Sequence, residues 1–282
     1  LDRIIHHYTS IETLALILKT KHVRFNRLDR VDDATENDSF ARLKMGEFFF
    51  VSCWTTKDRE SIPQWNMYTP NMSGVRISIP ERMFNYKPLK APGYLNSQSK
   101  GEFLSPIPFD KWSSDEYFIM PGFTKHEWFS REVQYRDDYK EEKNKGIEVV
   151  WENEKIVNLK LNTPSRLAAL KSTDWAFQDE FRFVLMIFPN STAIRCNNSY
   201  EQFHQEIIGN IASSLESGQG SNINYYDMEL NPKIFDDMTV TLGPLCSYSD
   251  KIIVHALLEK FASKAKVIDS KLTGTIRVPS RK

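Results

Sequence analysis

Trp175-Ala-Phe-Gln-Asp-Glu-Phe-Arg182, running on into Phe183-Val-Leu185, is the stretch on which the fold turns. Its aromatic and branched apolar residues predict a strand over 175–185, with Trp175, Phe177, Phe181 and Phe183 in a tightly packed region. On a strand, Gln178, Glu180 and Arg182 recur every second residue and point to one face. Three polar groups side by side among aromatics are either paired structurally, as an Arg–Glu ladder, or used chemically. The residues of this strand leave those two readings about even.

Working outward, Arg3-Ile-Ile-His-His-Tyr8 reads as a short strand. Thr9-Ser-Ile-Glu12 follows as a capping box, with Thr9 as cap and Glu12 reaching back, and Leu14, Ile17 and Leu18 carry a helix to about Lys19. Val23-Arg-Phe25 is a second strand, 26–38 a polar acidic loop and 39–45 a helical turn. Phe48-Phe-Phe-Val-Ser-Cys-Trp54 is a buried strand, and a helix over 60–68 sets Trp65 and Tyr68 one turn apart. Gly74-Val-Arg-Ile-Ser-Ile79 alternates as a half-buried strand does. The stretch 84–130 is irregular yet rich in aromatics, which suits an insertion or lid better than a linker. Beyond it, 133–135 restarts the sheet, 136–145 is a solvated charged segment, 147–161 is strand or helix, and 164–171 is a short helix. Tyr200, Phe203, Ile207, Ile211 and Leu215 form the stripe of an amphipathic helix. A strand at 238–242, a helix at 251–263 and a strand at 266–268 complete the domain over 200–282. Strands and helices mix without βαβ regularity, so the expectation is one α+β domain over 1–282.

The 282 residues suffice for a sizeable core. Lys+Arg and Asp+Glu both number 37, so the molecule as a whole has no field steering it toward nucleic acid or anionic membrane. Three widely spaced cysteines, Cys53, Cys196 and Cys246, argue against a disulfide framework or zinc site and suit a reducing, cytoplasmic setting. No apolar run approaches a membrane span and no signal peptide opens the chain. The sequence starts at Leu1 without an initiator Met, as a piece of a longer protein would.

His6-His7-Tyr8-Thr9 places polar chemistry at a strand-to-helix junction, where a helix N-terminus can receive a phosphate beside Thr9. The plainer reading makes Thr9 a cap and one histidine a core residue. Asp29-Arg-Val-Asp-Asp-Ala-Thr-Glu36 lacks the ligand spacing of a calcium loop, which favours solvated turn carboxylates. The same loop sustains an alternative in which Asp32, Asp33 and Glu36 hold the metal of a nuclease. Ser52-Cys-Trp54 with Trp65 and Tyr68 is either core or an aromatic floor for a planar ring. Nothing local depresses the Cys53 thiol, and glycine fingerprints, phosphate loops and Cys/His metal spacings are lacking.

In their order, His7-Tyr-Thr-Ser10, Asp32-Asp-Ala-Thr-Glu36, Val51-Ser-Cys-Trp54, Trp65-Asn-Met-Tyr68 with Gly74, and Lys171…Trp175…Glu180-Phe-Arg182 resemble a bacterial family, domain of unknown function 2971. The resemblance runs from about residue 5 to Thr241-Leu-Gly-Pro244. The chain departs from it twice: the family's acidic loop reads Asn-Asp-Pro-x-Glu, and it carries Glu at the position of Gln178. More distantly the family resembles the ADP-ribosyltransferase fold, a split antiparallel or mixed sheet with flanking helices. That resemblance implies NAD as co-substrate, no metal, and an ADP-ribosyltransferase or NAD glycohydrolase acting as a bacterial toxin or antiphage effector. It implies Glu180, Gln178 and His7 as catalytic residues, with His7, Tyr8, Thr9, Ser52, Trp54, Trp65, Tyr68 and Arg182 binding the dinucleotide. The acceptor it implies is a protein, a nucleic acid or water; a neutralising partner and the oligomeric state stay open. Cleaving the nicotinamide–ribose bond passes through an oxocarbenium-like state, which a nearby carboxylate such as Glu180 stabilises. A non-catalytic nucleotide sensor built on the same cleft is the other alternative.

Overall fold

The computed structural model describes residues 2–90, 104–196 and 199–277. Among them the chain forms an α+β fold on a mixed ten-stranded sheet, with helices against it. Strand β1 (Ile4–Thr9) leads into α1 (Ile11–Thr20), and β2 (His22–Arg27) into β3 (Phe49–Thr55). Helix α2 (Ile62–Tyr68) precedes β4 (Val75–Pro80). The sheet forks at β3. Along one edge β3 meets β2 through Phe50 and Val51, then β1 through Thr55; along the other it pairs antiparallel with β13 (Glu180–Pro189). From β1 the sheet continues to β4, β15 (Thr239–Leu242) and, in parallel, β16 (Lys266–Asp269); from β2 it continues to β14 (Tyr225–Glu229).

β13 is the centre of the core because Phe181 to Phe188 is buried throughout and packs on both faces, and all eight residues bar Arg182 are apolar. The expected strand over 175–185 is corrected at its start. Ser172 caps a 3₁₀ helix over Thr173–Gln178, and Asp179 takes a left-handed conformation, φ 43°, that Asp tolerates better than most residues. The strand therefore begins at Glu180, and strand periodicity holds for Glu180 and Arg182 but not for Gln178. Trp175 and Phe177 are only half-buried.

Other expectations shift similarly. Helix α1 is capped by Ser10, whose hydroxyl accepts from the Thr13 amide at 3.1 Å, while Thr9 is buried in β1 opposite Val75. The stretch 84–130, read as irregular, supplies sheet: β5 (Lys87–Pro88) pairs with β6 (Leu104–Ser105), and β7 (Tyr117–Met120) joins β13. Trp112, Phe118 and Phe123 there belong to the core; residues 91–103 lie outside the described segments. After α3 (His126–Phe129), β8 (Ser130–Glu132) also joins β13, and β9 (Gln134–Tyr135) pairs in parallel with β12 (Leu170–Lys171). The charged run 136–145 contains α4 (Tyr139–Lys145), which buries Tyr139 and Lys143. β10 (Ile147–Glu152) and β11 (Lys155–Leu161) form a hairpin, α5 (Pro164–Leu167) follows, and α6 (Tyr200–Ser217) and α7 (Tyr248–Phe261) close the fold. Among the described residues no helix is long and apolar enough to cross a membrane, and the three cysteines are free.

Gly74 holds the α2–β4 junction against β1. A Cβ there would lie 2.3 Å from the Thr9 carbonyl oxygen and 2.7 Å from Thr69 Cβ, while the Gly74 carbonyl accepts from Gly243 N at 2.8 Å. Because one obstruction is backbone of the central sheet, Gly74→Ala is expected to destabilise by about 1–3 kcal/mol. A melting temperature within a degree of wild type would refute this.

Candidate functional site

Four elements converge on a cavity of about 240 Å³: β1, β3, α2 and the start of β13. His7, Tyr8, Cys53, Trp54, Tyr68 and Glu180 line it, with Asp32, Gln64, Gln178 and Arg182. Helix α2 is fixed at its start by Ser61, whose amide donates to the Tyr8 hydroxyl at 3.0 Å and whose side chain caps Gln64 N. Trp65, fully buried, packs edge-on against Tyr8 at 4.8 Å. With that face locked to β1, Gln64 and Tyr68, four residues apart, both reach the cavity.

Tyr68 donates to Asp32 Oδ2 at 2.5 Å. The Gln178 carboxamide Nε2 meets the same Asp32 oxygen at 3.1 Å and also contacts the Tyr68 hydroxyl, while its Oε1 accepts from Lys171 Nζ at 2.8 Å. Gln64 Nε2 donates to the Gln178 backbone carbonyl at 2.7 Å. Gln178 is thus brought to the cavity by the turn at Asp179 and by these partners. Burial, with Asp32 adding to it, pushes the Tyr68 phenol far above its ordinary value, so it stays a donor.

Behind Gln178 lies a buried charge cluster. Arg182 is 1 % exposed and all its donors are used. Nη1 and Nη2 grip Glu36 at 2.6 and 2.5 Å, Nε and Nη2 hold Glu180 at 2.8 and 3.0 Å, and Nη1 also donates to the Ala168 carbonyl at 2.6 Å. Lys171 Nζ, wholly buried, lies 3.3 Å from Glu36 and 3.5 Å from Glu180, with the Trp175 ring at 4.7 Å. Burial alone would raise Glu36, but the Arg182 guanidinium and then Lys171 outweigh it and hold its carboxyl below the usual range. Burial would lower Arg182; Glu180 and Glu36 instead raise it well above its ordinary value. Lys143, pushed down to about 8 chiefly by burial, stands on the far side of Glu36. The Glu180 amide donates to the Tyr135 hydroxyl at 2.9 Å, tying β9 to the mouth of β13.

His7 Nδ1 donates to the Cys53 carbonyl at 2.9 Å, which leaves Nε2 unprotonated in the neutral ring. Burial lowers the His7 pKa, so neutral is the form at pH 7. The ring sits 5.0 Å from Trp54, tilted by 41°. Burial, with Glu180 next, raises the Cys53 thiol well above its ordinary value, which disfavours a thiolate nucleophile.

Of the residues singled out from sequence, His7, Tyr8, Trp54, Tyr68, Gln178, Glu180 and Arg182 share this one cavity. Thr9, Ser52 and Trp65 are buried outside its wall: Ser52 Oγ accepts the Trp54 indole N–H at 3.0 Å, and the Trp65 indole donates to Glu60 at 3.0 Å. The acidic loop is split three ways. Asp32 faces Tyr68, Asp33 Oδ1 caps Thr35 at 3.0 Å, and Glu36 is spent on Arg182, so these three carboxylates do not converge as the nuclease alternative requires. Among the described residues no group of three or more His, Cys, Asp or Glu is placed to hold a metal. Gln64 was not foreseen; its only sign in the sequence is its spacing of four from Tyr68.

The chain matches no protein-family model, no curated protein and no solved structure with which it was compared.

Proposed function

We propose that the cavity binds the nicotinamide end of NAD and that the protein is an ADP-ribosyltransferase or NAD glycohydrolase. The observation that carries this reading is the meeting of His7, Trp54, Tyr68 and Glu180 in one cavity, from β1, β3, α2 and β13. The first three present flat rings to a planar amide-bearing ring. Glu180, at the strand mouth, sets a carboxylate where the departing ring leaves positive charge on the ribose. At about 240 Å³ the cavity falls just below the usual range for whole small ligands, about 300–1,000 Å³. It suits the nicotinamide ring, with the rest of the dinucleotide outside. The forked sheet carrying a His strand, a Ser-Cys-Trp strand and a Glu strand side by side fits an ADP-ribosyltransferase-like split sheet.

Resemblance to the domain 2971 family gains support from its two departures. Asp32 stands where the family has Asn, Gln178 where it has Glu, and the two side chains are hydrogen-bonded. The exchange moves one carboxylate from one end of a contact to the other and leaves the charge unchanged. Gln178→Glu alone sets two carboxylates against each other, although Lys171 offsets part of that. Asp32→Asn alone weakens the bond from Tyr68. The double variant restores one of each. A coupling of about 1–3 kcal/mol is expected in a double-mutant cycle followed by urea unfolding. Additivity within about 0.5 kcal/mol would contradict it.

A second reading, a nucleotide-binding sensor without turnover, is favoured by the engagement of both Glu180 oxygens by Arg182. One experiment separates the two. Purified protein is incubated with NAD, with and without protein and nucleic-acid acceptors, and nicotinamide release is followed beside calorimetric NAD binding. Release supports the enzyme, binding without release supports the sensor, and neither result defeats both.

A further inference from the structure

On the sheet formed by β1, β4, β15 and β16 lies a second cleft, of about 410 Å³. Alternation along these strands separates apolar from polar residues. Ile5, Ile77, Ile79 and Val240 are buried in the core. The intervening positions line up across the strands as two polar rows, His6–Ser78–Thr239 and Tyr8–Arg76–Thr241.

Arg76 decides what this cleft can take. It is 4 % exposed, yet among the described residues no buried carboxylate serves it. Its Nη2 donates to the Asp58 backbone carbonyl at 2.8 Å and to His6 Nδ1 at 2.9 Å, while Nε, fully buried, has no partner among the described residues. The nearest carboxylate, Asp58, is 3.5 Å away on a side chain 93 % exposed. The other acids of the cleft are occupied. Glu60 accepts from the Trp65 indole, the Ser270 hydroxyl and the Lys271 amide, and Asp269 pairs with Lys251 at 2.6 Å. His6 is pushed down to about 4, first by burial and then by Arg76, so it serves as a neutral acceptor. Arg182, also deeply buried in this sheet, has two buried carboxylates; Arg76 has none among the described residues, and a buried cation needs a partner.

We propose that this cleft binds a phosphate group, gripped by the Arg76 guanidinium, with Lys271 and the hydroxyls of Thr239 and Thr241 around it and Asp58 displaced to solvent; the Ser78 hydroxyl is engaged by His6 Nδ1 at 2.8 Å. A planar fork of donors beside two hydroxyls matches a tetrahedral oxyanion with many acceptors. The phosphate is either inorganic or the phosphoryl end of a nucleotide. The site shares His6 with the wall of the first cavity but has its own arginine and hydroxyls, and its test with inorganic phosphate does not depend on the NAD reading.

Thermal unfolding and calorimetry of the full chain with inorganic phosphate and with AMP, each against chloride at matched ionic strength, test it. Saturating phosphate is expected to raise the melting temperature by about 2–4 °C. Arg76→Gln should abolish the shift; because it also removes a buried charge, Thr241→Val, which keeps the guanidinium, is measured beside it and should weaken phosphate at least fivefold. Tyr68→Phe, confined to the first cavity, should leave the shift intact. AMP bound tighter than phosphate identifies a nucleotide; AMP bound equally or more weakly identifies free phosphate. No heat and no stabilisation from either anion in the wild type would overturn the proposal, as would unchanged binding in Thr241→Val together with any folded Arg76→Gln.

Discussion

Arg182→Met lowers the stability of the protein by about 3–5 kcal/mol in urea unfolding at pH 7. The size follows from what the guanidinium holds. Its removal takes two short hydrogen bonds from Glu36, two from Glu180 and one from the Ala168 carbonyl, and leaves Lys171 as the closest cation, at 3.3 and 3.5 Å from the two acids. Methionine fills the volume, so the loss is one of charge compensation rather than packing. Acid supplies a second readout of opposite sign in the two proteins. In the wild type Glu36 sits below its unfolded value, so its contribution is full above the usual carboxylate range and is lost as pH falls through its depressed folded value. Without Arg182 the buried carboxyl rises instead, and moderate acid stabilises the variant by protonating it. Removing Glu36 as well, in Arg182→Met/Glu36→Met, costs less than Arg182→Met with Glu36 left in place. A single variant within 1 kcal/mol of wild type, with an unchanged acid slope, would show that the cluster is not the anchor of β13.

Glu180→Gln abolishes nicotinamide release from NAD by a factor of about 10²–10³ while leaving NAD affinity nearly unchanged, if the proposed chemistry operates. The carboxamide keeps the shape and one acceptor for Arg182, and the Arg182–Glu36 pair stays closed, so the fold tolerates the change better than loss of the arginine. A missing negative charge matters most where positive charge develops, at the anomeric carbon as nicotinamide departs. The measurement is initial nicotinamide release at saturating NAD, with the melting temperature recorded beside it. Equal rates in the two proteins would remove Glu180 from the chemistry; a folded variant that has lost NAD binding altogether would make it a binding residue instead.

Much of the fold was legible because it rests on local pattern. The apolar run from Phe181, the alternation from Val75 and the stripe of α6 each follow a period that geometry imposes. Glu180 and Arg182 were legible as one face for the same reason. Gln178 was placed correctly beside them for a wrong reason, since the left-handed turn at Asp179 is a tertiary compromise and not a propensity. β7 and β8 were hidden because three- and four-residue strands among aromatics carry no measurable period. Lys143 was hidden inside Tyr139-Lys-Glu-Glu-Lys-Asn-Lys145, which by composition reads as solvent. The contacts that define the site join Asp32, Tyr68, Gln178 and Glu36 across long sequence separations, and no local rule reaches that far.

The cluster of Glu36, Lys171, Glu180 and Arg182 also limits how the chain can change over generations. Two buried cations and two buried carboxylates cancel, so any single substitution that alters one charge leaves an uncompensated ion in the interior. Drift at these positions is confined to paired replacements, or to intermediates that survive on stability held in reserve elsewhere. The wall of the cavity is therefore expected to evolve in linked steps while the helices around it vary one residue at a time.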